Sequence, residues 1–541
     1  MSQFKNFYIS MKTKRNYILH PFLLACYSIL MPLSVNRLQI SPILAIRPLV
    51  IVIAMSILVM LILRLFLKDW ELVGLVAYLL IVLICFGGYI DSFGDSDSMY
   101  YLRLLFIILI VFLIVLFINI LNKQDIWKKL CTKYKITLFL NIITSVLLLL
   151  PLILLTMTII DFVRYIIAYQ QADRDTNLDR IILTNHETPD IYYILLDGYG
   201  RADILRDIYH FDNTPFTDYL TRKGFYISQS SQTNYIQTSL SLASSLNMIY
   251  LGDYMGPFGL NSQSRIPLEN LIKNSQVVSL LKNQGYQIIA FQSGFLYTEL
   301  TKSDLYLSPY VSINEFEGLV LANSIFKWFI RESSFIPIFG YDSHRRLILY
   351  TLDELSKVPD IPGPKFVFAH IIAPHPPFVF NRNGTNLEPN YAYSIYDGSQ
   401  FPGSQDEYIR GYVGQIQFLN ARLEETITSI LERSENPPLI IIQGDHGPGL
   451  LLDWFSQEKS CLVERASILN AFYFPEVDIG RLYPNISPVN TFRIIFDTYF
   501  GADLELLPDK SYYSTIDKPY NFYEVSSWDI HSKACVIDDK Q

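Results

Sequence analysis

Apolar and charged residues alternate in long blocks over the first 160 residues of the chain. Each of five apolar blocks is close to the ~20 residues that a helix needs to cross the hydrocarbon layer of a membrane. The predicted transmembrane helices cover approximately residues 17–35, 48–67, 72–90, 102–121 and 136–160. No small-residue cleavage site with a polar mature domain follows the first block, so we predict a retained helix and not a removable signal peptide.

The charged residues between these blocks are sorted by sign. Lysine and arginine collect in the amino-terminal tail and in the fourth connection, residues 123–135, whereas the third connection holds Asp91, Asp95 and Asp97. By the positive-inside rule the tail and the fourth connection are cytoplasmic, and five crossings then place everything after residue 160 outside the cytoplasm. The alternative, a buried helical bundle of a soluble protein, would not produce such sorting.

The pattern changes after residue 160. We predict a transmembrane domain over 1–160, a polar linker over 161–188, a folded domain over 189–509 and a tail over 510–541. In the folded domain, apolar runs predict strands within 190–200, 286–292, 365–372 and 439–442, helical patterns lie near 215–223, 267–284, 344–357 and 407–433, and a helix and strand close the domain over 488–509. Strands that alternate with helices predict an α/β domain with a mostly parallel sheet sandwiched by helices.

Acidic and histidine side chains follow or end three of the predicted strands. Asp197 follows the first strand, His370 and His375 lie at the end of the third, and Asp445 and His446 follow the last. Because open parallel sheets bind ligands beyond the carboxyl ends of their strands, we expect these side chains to cluster. Carboxylates and imidazoles from separate strands predict a divalent metal site with positions open for substrate or a nucleophile.

A hydroxyl nucleophile is available in the stretch TNYIQTSLSLASSLNM. This stretch brings Thr238 and Ser239 to the predicted start of a helix that runs to about Tyr250. A hydroxyl there faces unpaired backbone N–H groups and the positive end of the helix dipole, which favours an alkoxide and a bound phosphate. Each residue also has a plainer interpretation, since Thr238 can be a helix cap and His370 a core histidine.

Composition narrows the classes of function. The net charge is −8 and the soluble half has no basic aromatic stripe, so we expect no nucleic-acid partner. Five cysteines are too few and too scattered for a disulfide scaffold or a zinc ribbon. Cys461 and Cys535 are the two in the soluble half, where they either pair in an oxidising compartment or remain buried thiols.

The ordered set of residues resembles the alkaline phosphatase and sulfatase superfamily, and within it the membrane-anchored branch with lipoteichoic acid synthases and lipid A phosphoethanolamine transferases. The resemblance implies an N-terminal bundle of five transmembrane helices followed by an extracytoplasmic, alkaline-phosphatase-like α/β domain. It further implies one divalent metal, zinc or manganese, held by Asp197, Thr238, Asp445 and His446. The family's segment with two histidines five apart matches HIIAPHPP.

The same resemblance implies catalytic roles for three residues. Thr238 would be the nucleophile, His375 would contact the transferred phosphoryl group, and His370 is the other histidine of the matching segment. Two features depart from the family pattern. Asp197 stands where the compared transferases usually have glutamate, and Cys461 is followed by LVER, which lacks the Cys-x-Pro-x-Arg motif from which arylsulfatases make formylglycine.

The implied function is a membrane-bound transferase. It would move a phosphoryl-linked head group from a phospholipid donor to an envelope glycan or lipid acceptor through a phospho-threonine intermediate. The protein would lie in the cell membrane, beside its donor in the lipid bilayer, with its C-terminal domain periplasmic or extracellular. Two alternatives stay open: a phosphodiesterase, phosphatase or sulfuric-ester hydrolase that uses the same site, and a non-catalytic envelope protein.

Overall fold

The computed structural model describes residues 17–89, 133–173, 188–252, 259–309, 313–327, 340–475, 479–525 and 533–537. The chain divides into two compact units. The helical unit comprises Met1–Ile160 with Ile313–Ile338, and the α/β unit comprises Asp161–Ser312 with Phe339–Gln541. Each unit has its own packed interior and is described by itself below.

The described residues form fourteen α-helices and nine strands. The helices are α1 His20–Val35, α2 Ile46–Phe66, α3 Trp70–Phe86, α4 Lys133–Asp173, α5 Ala202–Asp207, α6 Thr214–Arg222, α7 Thr238–Ser245, α8 Ile266–Lys273, α9 Gln276–Asn283, α10 Glu315–Asn323, α11 Tyr341–Leu355, α12 Gln405–Arg433, α13 Leu462–Ala466 and α14 Pro488–Phe500. The strands are β1 Ile191–Leu196, β2 Tyr226–Ile227, β3 Gln287–Phe291, β4 Leu305–Leu307, β5 Lys365–Ile371, β6 Leu439–Gly444, β7 Asn470–Tyr473, β8 Tyr512–Tyr513 and β9 Tyr523–Glu524.

Three helical segments of the described residues are long and apolar enough to cross a membrane: Pro42–Phe66, Trp70–Tyr89 and Lys135–Ile160. Of the most apolar 18 residues in each segment, only 17% are buried within the protein in the first and 22% in the third. Most of their apolar side chains therefore need another apolar environment. These segments agree with the second, third and fifth predicted spans. The first predicted span is an apolar helix of 16 residues, α1, and the fourth lies outside the described residues.

A short helix from later in the chain, α10, belongs to the helical unit. Asn314 caps α10 in a capping box with Glu317, and Glu317 pairs with Arg47. The backbone N–H of Ile325 donates to the carbonyl of Ile84 at 2.8 Å. Arg47 and Ile84 lie at ends of the apolar helices that the charge pattern predicts to be extracytoplasmic, which is the side expected for a segment after residue 160.

The α/β unit is built on a seven-stranded mixed sheet of order β2-β7-β6-β1-β5-β3-β4. Strands β6, β1, β5, β3 and β4 are parallel, and β7 and β2 complete one edge in antiparallel pairing. The central strand β1 has β5 and β6 as neighbours, with Leu196 opposite both Ile371 and Gly444. The prediction of an α/β domain with a mostly parallel sheet is therefore confirmed.

Helices cover both faces of this sheet because its central strand β1 is apolar at every position and its neighbours β5 and β6 are apolar along most of their length. In β1, Ile191, Tyr193 and Leu195 pack in a core with α7, α8, α9 and α14. The alternate residues Tyr192, Ile194 and Leu196 pack in a second core with α5, α6, α11 and α12. Successive side chains of a strand point to opposite faces, so a continuous apolar run is what a sheet buried on both sides requires.

Three predicted elements of the α/β unit were wrong in detail. The helix predicted over 267–284 is two helices, since the Ser275 side chain accepts from the N–H of Val278 and starts α9 anew. The helix expected to reach Tyr250 ends at Ser245, and Met248 soon after has a positive φ of 59°. The closing strand within 488–509 does not form, because Gly501 ends α14 in the left-handed conformation and 501–509 has no ladder partner among the described residues.

Cys461 and Cys535 form a disulfide that spans 74 residues of sequence. Of the two alternatives left open by the sequence, the structure therefore has the pair. Cys461 directly precedes α13, so the bond ties the C-terminal tail to this short helix. Such bonds form and persist in oxidising compartments.

Candidate active site

The metal-ligand types predicted from the sequence meet at the carboxyl edge of the sheet. Asp197 follows β1, and Asp445 and His446 follow β6, the parallel neighbour of β1. One ligand atom from each of these three residues lies within 4.8 Å of the others, and all three side chains are buried. The pairing of two parallel strands thus brings residues 248 positions apart to one point, since 445 − 197 = 248.

Backbone and hydroxyl groups fix Asp445 in this position. Its Oδ1 accepts from the N–H groups of Gly198 at 3.1 Å and His446 at 2.9 Å. Its carbonyl oxygen accepts from the hydroxyls of Thr233 at 2.6 Å and Ser241 at 2.7 Å. Because Ser241 lies in α7, these bonds also attach that helix to the loop after β6.

Thr238 is the first residue of α7, and its hydroxyl is part of the cluster. Its Oγ1 lies 3.1 Å from Nε2 of His446. The preceding residue, Gln237, is held by bonds from its Nε2 to the carbonyl and the hydroxyl of Ser514. Thr238 is half-buried, whereas Asp197, Asp445 and His446 are almost fully enclosed. The hydroxyl is therefore the member of the set that a substrate can reach.

The donor set fits one divalent cation. Asp197 Oδ1, Asp445 Oδ2 and His370 Nε2 are buried and have no hydrogen-bond partner among the described residues. Buried polar atoms without partners are costly, and a cation would satisfy the two carboxylate oxygens. Two carboxylates with one imidazole can hold zinc or manganese.

The protonation states also suit a metal. Burial, followed by the charge of Arg465, lowers the pKa of His446, which keeps its imidazole in the neutral form that binds metals. Burial alone would raise the pKa of Asp197, but His375, His370 and His446 outweigh it and lower the pKa below its usual value. Asp197 is therefore ionised, which is the form in which a carboxylate could bind a metal.

His370 and His375 both lie beside this cluster. His370 is buried at the end of β5, where its Nδ1 is 2.9 Å from Thr298 Oγ1 and its Nε2 is 3.4 Å from Asp197 Oδ2. His375 is half-buried, and its backbone N–H donates to the carbonyl of Asp197 at 2.9 Å. The His375 side chain is 11% exposed, whereas that of His370 is fully buried. The ring centroids of His375 and His446 are 6.1 Å apart.

Two buried charged residues at the site were not predicted from the sequence. Arg465 donates from Nη1 to Oδ2 of Asp397 at 2.7 Å, and its Nη2 lies 3.0 Å from His446 Nε2. Asp397 Oδ2 is also 3.6 Å from Nε2 of His375, and the hydroxyl of Tyr408 donates to its Oδ1. Burial opposes ionisation of Asp397, yet His375 and Arg465 lower its pKa. The sequence holds one signal that could have pointed to Arg465, because two adjacent charged residues, Glu464 and Arg465, come shortly before strand β7.

Two glycines of the GDHGPG segment permit this close packing. A Cβ on Gly447 would collide with the carbonyl oxygen of Glu464, and a Cβ on Gly449 would collide with the carboxylate of Asp397. Any other residue would push α13 or Asp397 away from the site. These glycines therefore let the loop after β6 approach both charged residues.

Glu464 is a buried carboxyl directly behind Arg465. Its Oε1 accepts from the Tyr209 hydroxyl and its Oε2 from the N–H of Leu451 at 2.9 Å. Burial raises its pKa to about 8, and these hydrogen bonds only partly offset that effect. The residue therefore keeps its proton at neutral pH while Asp397 is ionised.

Comparison with known proteins identifies one family model that matches the chain. The model, described as Sulfatase, matches residues 189–461. This range includes Asp197, Thr238, His370, His375, Asp397, Asp445 and His446, and it ends before Arg465. No curated protein matches the chain.

Similar solved structures include transferases and sulfatases. The C-terminal periplasmic domain of EcEptC from Escherichia coli has 12% identity and a TM-score of 0.42, covering 63% of this chain and 96% of that one. The periplasmic domain of the phosphoethanolamine transferase EptC from Campylobacter jejuni has 11% identity and a TM-score of 0.37, covering 60% and 92%. A putative sulfatase from Bacteroides thetaiotaomicron has 13% identity and a TM-score of 0.37, covering 62% and 75%.

Proposed function

Because the chain belongs to the sulfatase family of enzymes, we propose that it is a membrane-anchored transferase that depends on a divalent metal. The transferred unit is a phosphoryl-linked head group, the donor is a phospholipid, and the acceptor is an envelope glycan or lipid. The reaction takes place on the periplasmic or extracellular side of the cell membrane.

One observation carries this proposal. The half-buried hydroxyl of Thr238 lies 3.1 Å from a nitrogen of the buried set Asp197, Asp445 and His446. A hydroxyl at the first residue of a helix, next to buried metal-ligand types and open to solvent, has the surroundings of an activated nucleophile. A metal held by the set would lower the pKa of this hydroxyl and offset negative charge on the phosphoryl oxygens.

The chemistry proceeds in two displacements at phosphorus. Thr238 Oγ1 gives its proton to a histidine of the site and forms a bond to phosphorus, while the bond from phosphorus to the glycerol oxygen of the lipid breaks. That oxygen takes a proton, which a histidine of the site supplies, and diacylglycerol leaves. An acceptor hydroxyl then forms a bond to phosphorus while the bond from phosphorus to Thr238 Oγ1 breaks. The proton of that hydroxyl passes through the site to Oγ1, which restores Thr238. His375, as the more exposed of the two histidines, contacts the phosphoryl oxygens.

The lipid donor and the extracytoplasmic side rest on features outside the cluster. Segments that are long and apolar enough to cross a membrane keep the enzyme beside phospholipids, which raises the local concentration of the donor. The Cys461–Cys535 disulfide favours an oxidising compartment for the α/β unit. Thr238 forms a phosphoester directly, and the chain has no Cys-x-Pro-x-Arg motif for a formylglycine route to sulfate esters.

The test uses the purified full chain in detergent micelles, loaded with zinc or manganese. A phospholipid labelled in its head-group phosphate is supplied, and label on the protein and in the products is followed. We expect the parent to acquire label on Thr238, located by peptide mass spectrometry, and Thr238→Ala to lose turnover while keeping its metal. Ser239→Ala is the matched control, because the neighbouring Ser239 is buried next to Arg265 and should be dispensable.

Product analysis then separates transfer from hydrolysis. Label that moves to an added glycan or lipid acceptor supports a transferase, and label released only as a water-soluble phosphate ester or phosphate means that the site is that of a hydrolase. Full turnover in Thr238→Ala would contradict the assigned nucleophile. A parent protein that holds no metal and turns over no donor would contradict the enzyme proposal and favour a non-catalytic envelope protein.

A further inference from the structure

Arg465 is the largest fully buried side chain of the described residues and has its guanidinium at the candidate active site. Its Nε donates to the carbonyl of Ile236 at 3.0 Å, and its Nη1 donates to Asp397 and to the carbonyl of Gly447 at 3.1 Å. Its Nη2 lies 3.0 Å from Nε2 of His446. Three of these contacts are with fixed oxygens, and the fourth is with a nitrogen that belongs to the metal-ligand set.

The contact with His446 cannot coexist with a metal on the same nitrogen. Nε2 has one lone pair, and the other ring nitrogen is 2.9 Å from the carbonyl of Gly447, which leaves Nε2 as the atom that faces Thr238 and the two aspartates. If a metal occupied that lone pair, Nη2 of Arg465 would lose His446 as its acceptor, and no other atom of the described residues accepts a hydrogen bond from Nη2. A buried guanidinium N–H without an acceptor is costly, and an anionic oxygen would satisfy it.

We propose that Arg465 binds a non-bridging oxygen of the group transferred to Thr238, so that the site takes a tetrahedral phosphoryl oxyanion. This assignment rests on the function proposed above and adds a catalytic residue to it. Nη2 and the Thr238 hydroxyl flank the same His446 nitrogen, so a group bonded to Thr238 lies within reach of Nη2.

The remaining contacts of Arg465 preorganise it for this role. Asp397, Gly447 and Ile236 hold Nη1 and Nε, so the direction of Nη2 is set before substrate arrives. Donors fixed in a buried site stabilise developing charge without reorganisation during the reaction. The charge of Asp397 balances that of Arg465 in the absence of substrate, which makes a buried arginine tolerable.

The test measures binding of inorganic phosphate to the zinc-loaded full chain by calorimetry, alongside metal content. Arg465→Lys keeps the charge, and Arg465→Gln keeps a neutral donor. The matched control is Arg493→Lys, since Arg493 is also buried and donates to carbonyls of Met248 and Glu505 away from the cluster. We expect phosphate affinity to fall by about 10-fold or more in both Arg465 variants and to stay at the parent value in the control.

The outcomes distinguish this assignment from the function on which it rests. Unchanged phosphate affinity in a metal-retaining Arg465 variant overturns the assignment, and so does loss of metal in both variants, which would make Arg465 a support for His446. A kinetic check accompanies the binding assay, with a loss in kcat expected for the Arg465 variants and none for Arg493→Lys. Full turnover in Thr238→Ala would overturn the proposed nucleophile while leaving a phosphate-binding Arg465 intact.

Discussion

The hydroxyl of Thr238 and Nε2 of His446 lie 3.1 Å apart, although 208 residues separate them in the chain. Two attachments produce this proximity. The parallel pairing of β1 with β6 brings Asp445 and His446 to the sheet edge beside Asp197, and the Ser241 hydroxyl ties α7 to the carbonyl of Asp445. The proposed nucleophile on α7 is thereby positioned by Asp445, the same residue that we propose as a carboxylate ligand of the metal.

The metal-ligand set gives a prediction about Asp197. We expect Asp197→Asn to lower the affinity for zinc or manganese by more than about 100-fold, because an amide removes a charged ligand from a buried site. Metal content after dialysis, measured by mass spectrometry, tests this expectation. The matched control is Asp190→Asn at the opposite end of β1, where Asp190 pairs with Lys365 instead. A stoichiometric metal in Asp197→Asn would show that the cation binds elsewhere.

Asp397 gives a prediction about positioning. It bonds Arg465 and approaches His375, and it touches none of the three ligand side chains. We expect Asp397→Asn to keep its metal and lower kcat by about 10- to 100-fold, since a neutral amide orients the Arg465 guanidinium and the His375 ring less well than a carboxylate does. The measurement is kcat and KM, determined separately for parent and variant with a labelled phospholipid at saturating metal. A kcat equal to that of the parent would rule out a positioning role.

The disulfide gives a prediction about the tail. The double variant Cys461→Ser, Cys535→Ser should have a free energy of unfolding about 2–4 kcal/mol lower than that of the parent, because the 74-residue loop is no longer closed. Denaturant unfolding of the α/β unit measures the loss. The control is Cys26→Ser with Cys85→Ser, as these two cysteines are unpaired in the structure. Free thiols titrated at both positions in the native parent would contradict the bond.

The sheet and the residues at its edge were predictable from local pattern. Apolar runs that end in Asp197, His370 or Asp445 mark strands buried on both faces, and the topology of parallel sheets then gathers the residues that follow them. Thr238 was predictable because a hydroxyl preceding an apolar helix pattern is a local signal. The sheet order itself and its antiparallel edge strands β2 and β7 depend on long-range pairing, which leaves no local trace.

The parts that could not be predicted depend on tertiary contacts. Asp397 lies in an irregular stretch before α12, and only the fold shows that it meets Arg465 from another segment. Similarly, nothing in the sequence of α10 distinguishes it from the helices of the α/β unit, yet it packs in the helical unit through Glu317 and Arg47. The helix breaks at Ser275 because the side chain of Ser275 caps the start of α9. The amphipathic pattern continues across this residue and therefore hides the break.

Glu464 gives a prediction about pH. Its pKa in the fold is about 8, raised from 4.5 by burial. Between these two values the unfolded chain releases the proton and the folded chain keeps it, so the free energy of unfolding falls as the pH rises through this window. Glu464→Gln removes the ionisation, and we expect it to raise the free energy of unfolding by about 4 kcal/mol at pH 8 and to change it little at pH 4. Denaturant unfolding at both pH values measures the difference, with exposed Glu458→Gln as the control. Equal stabilities of parent and Glu464→Gln at pH 8 would mean that the carboxyl ionises in the fold without penalty.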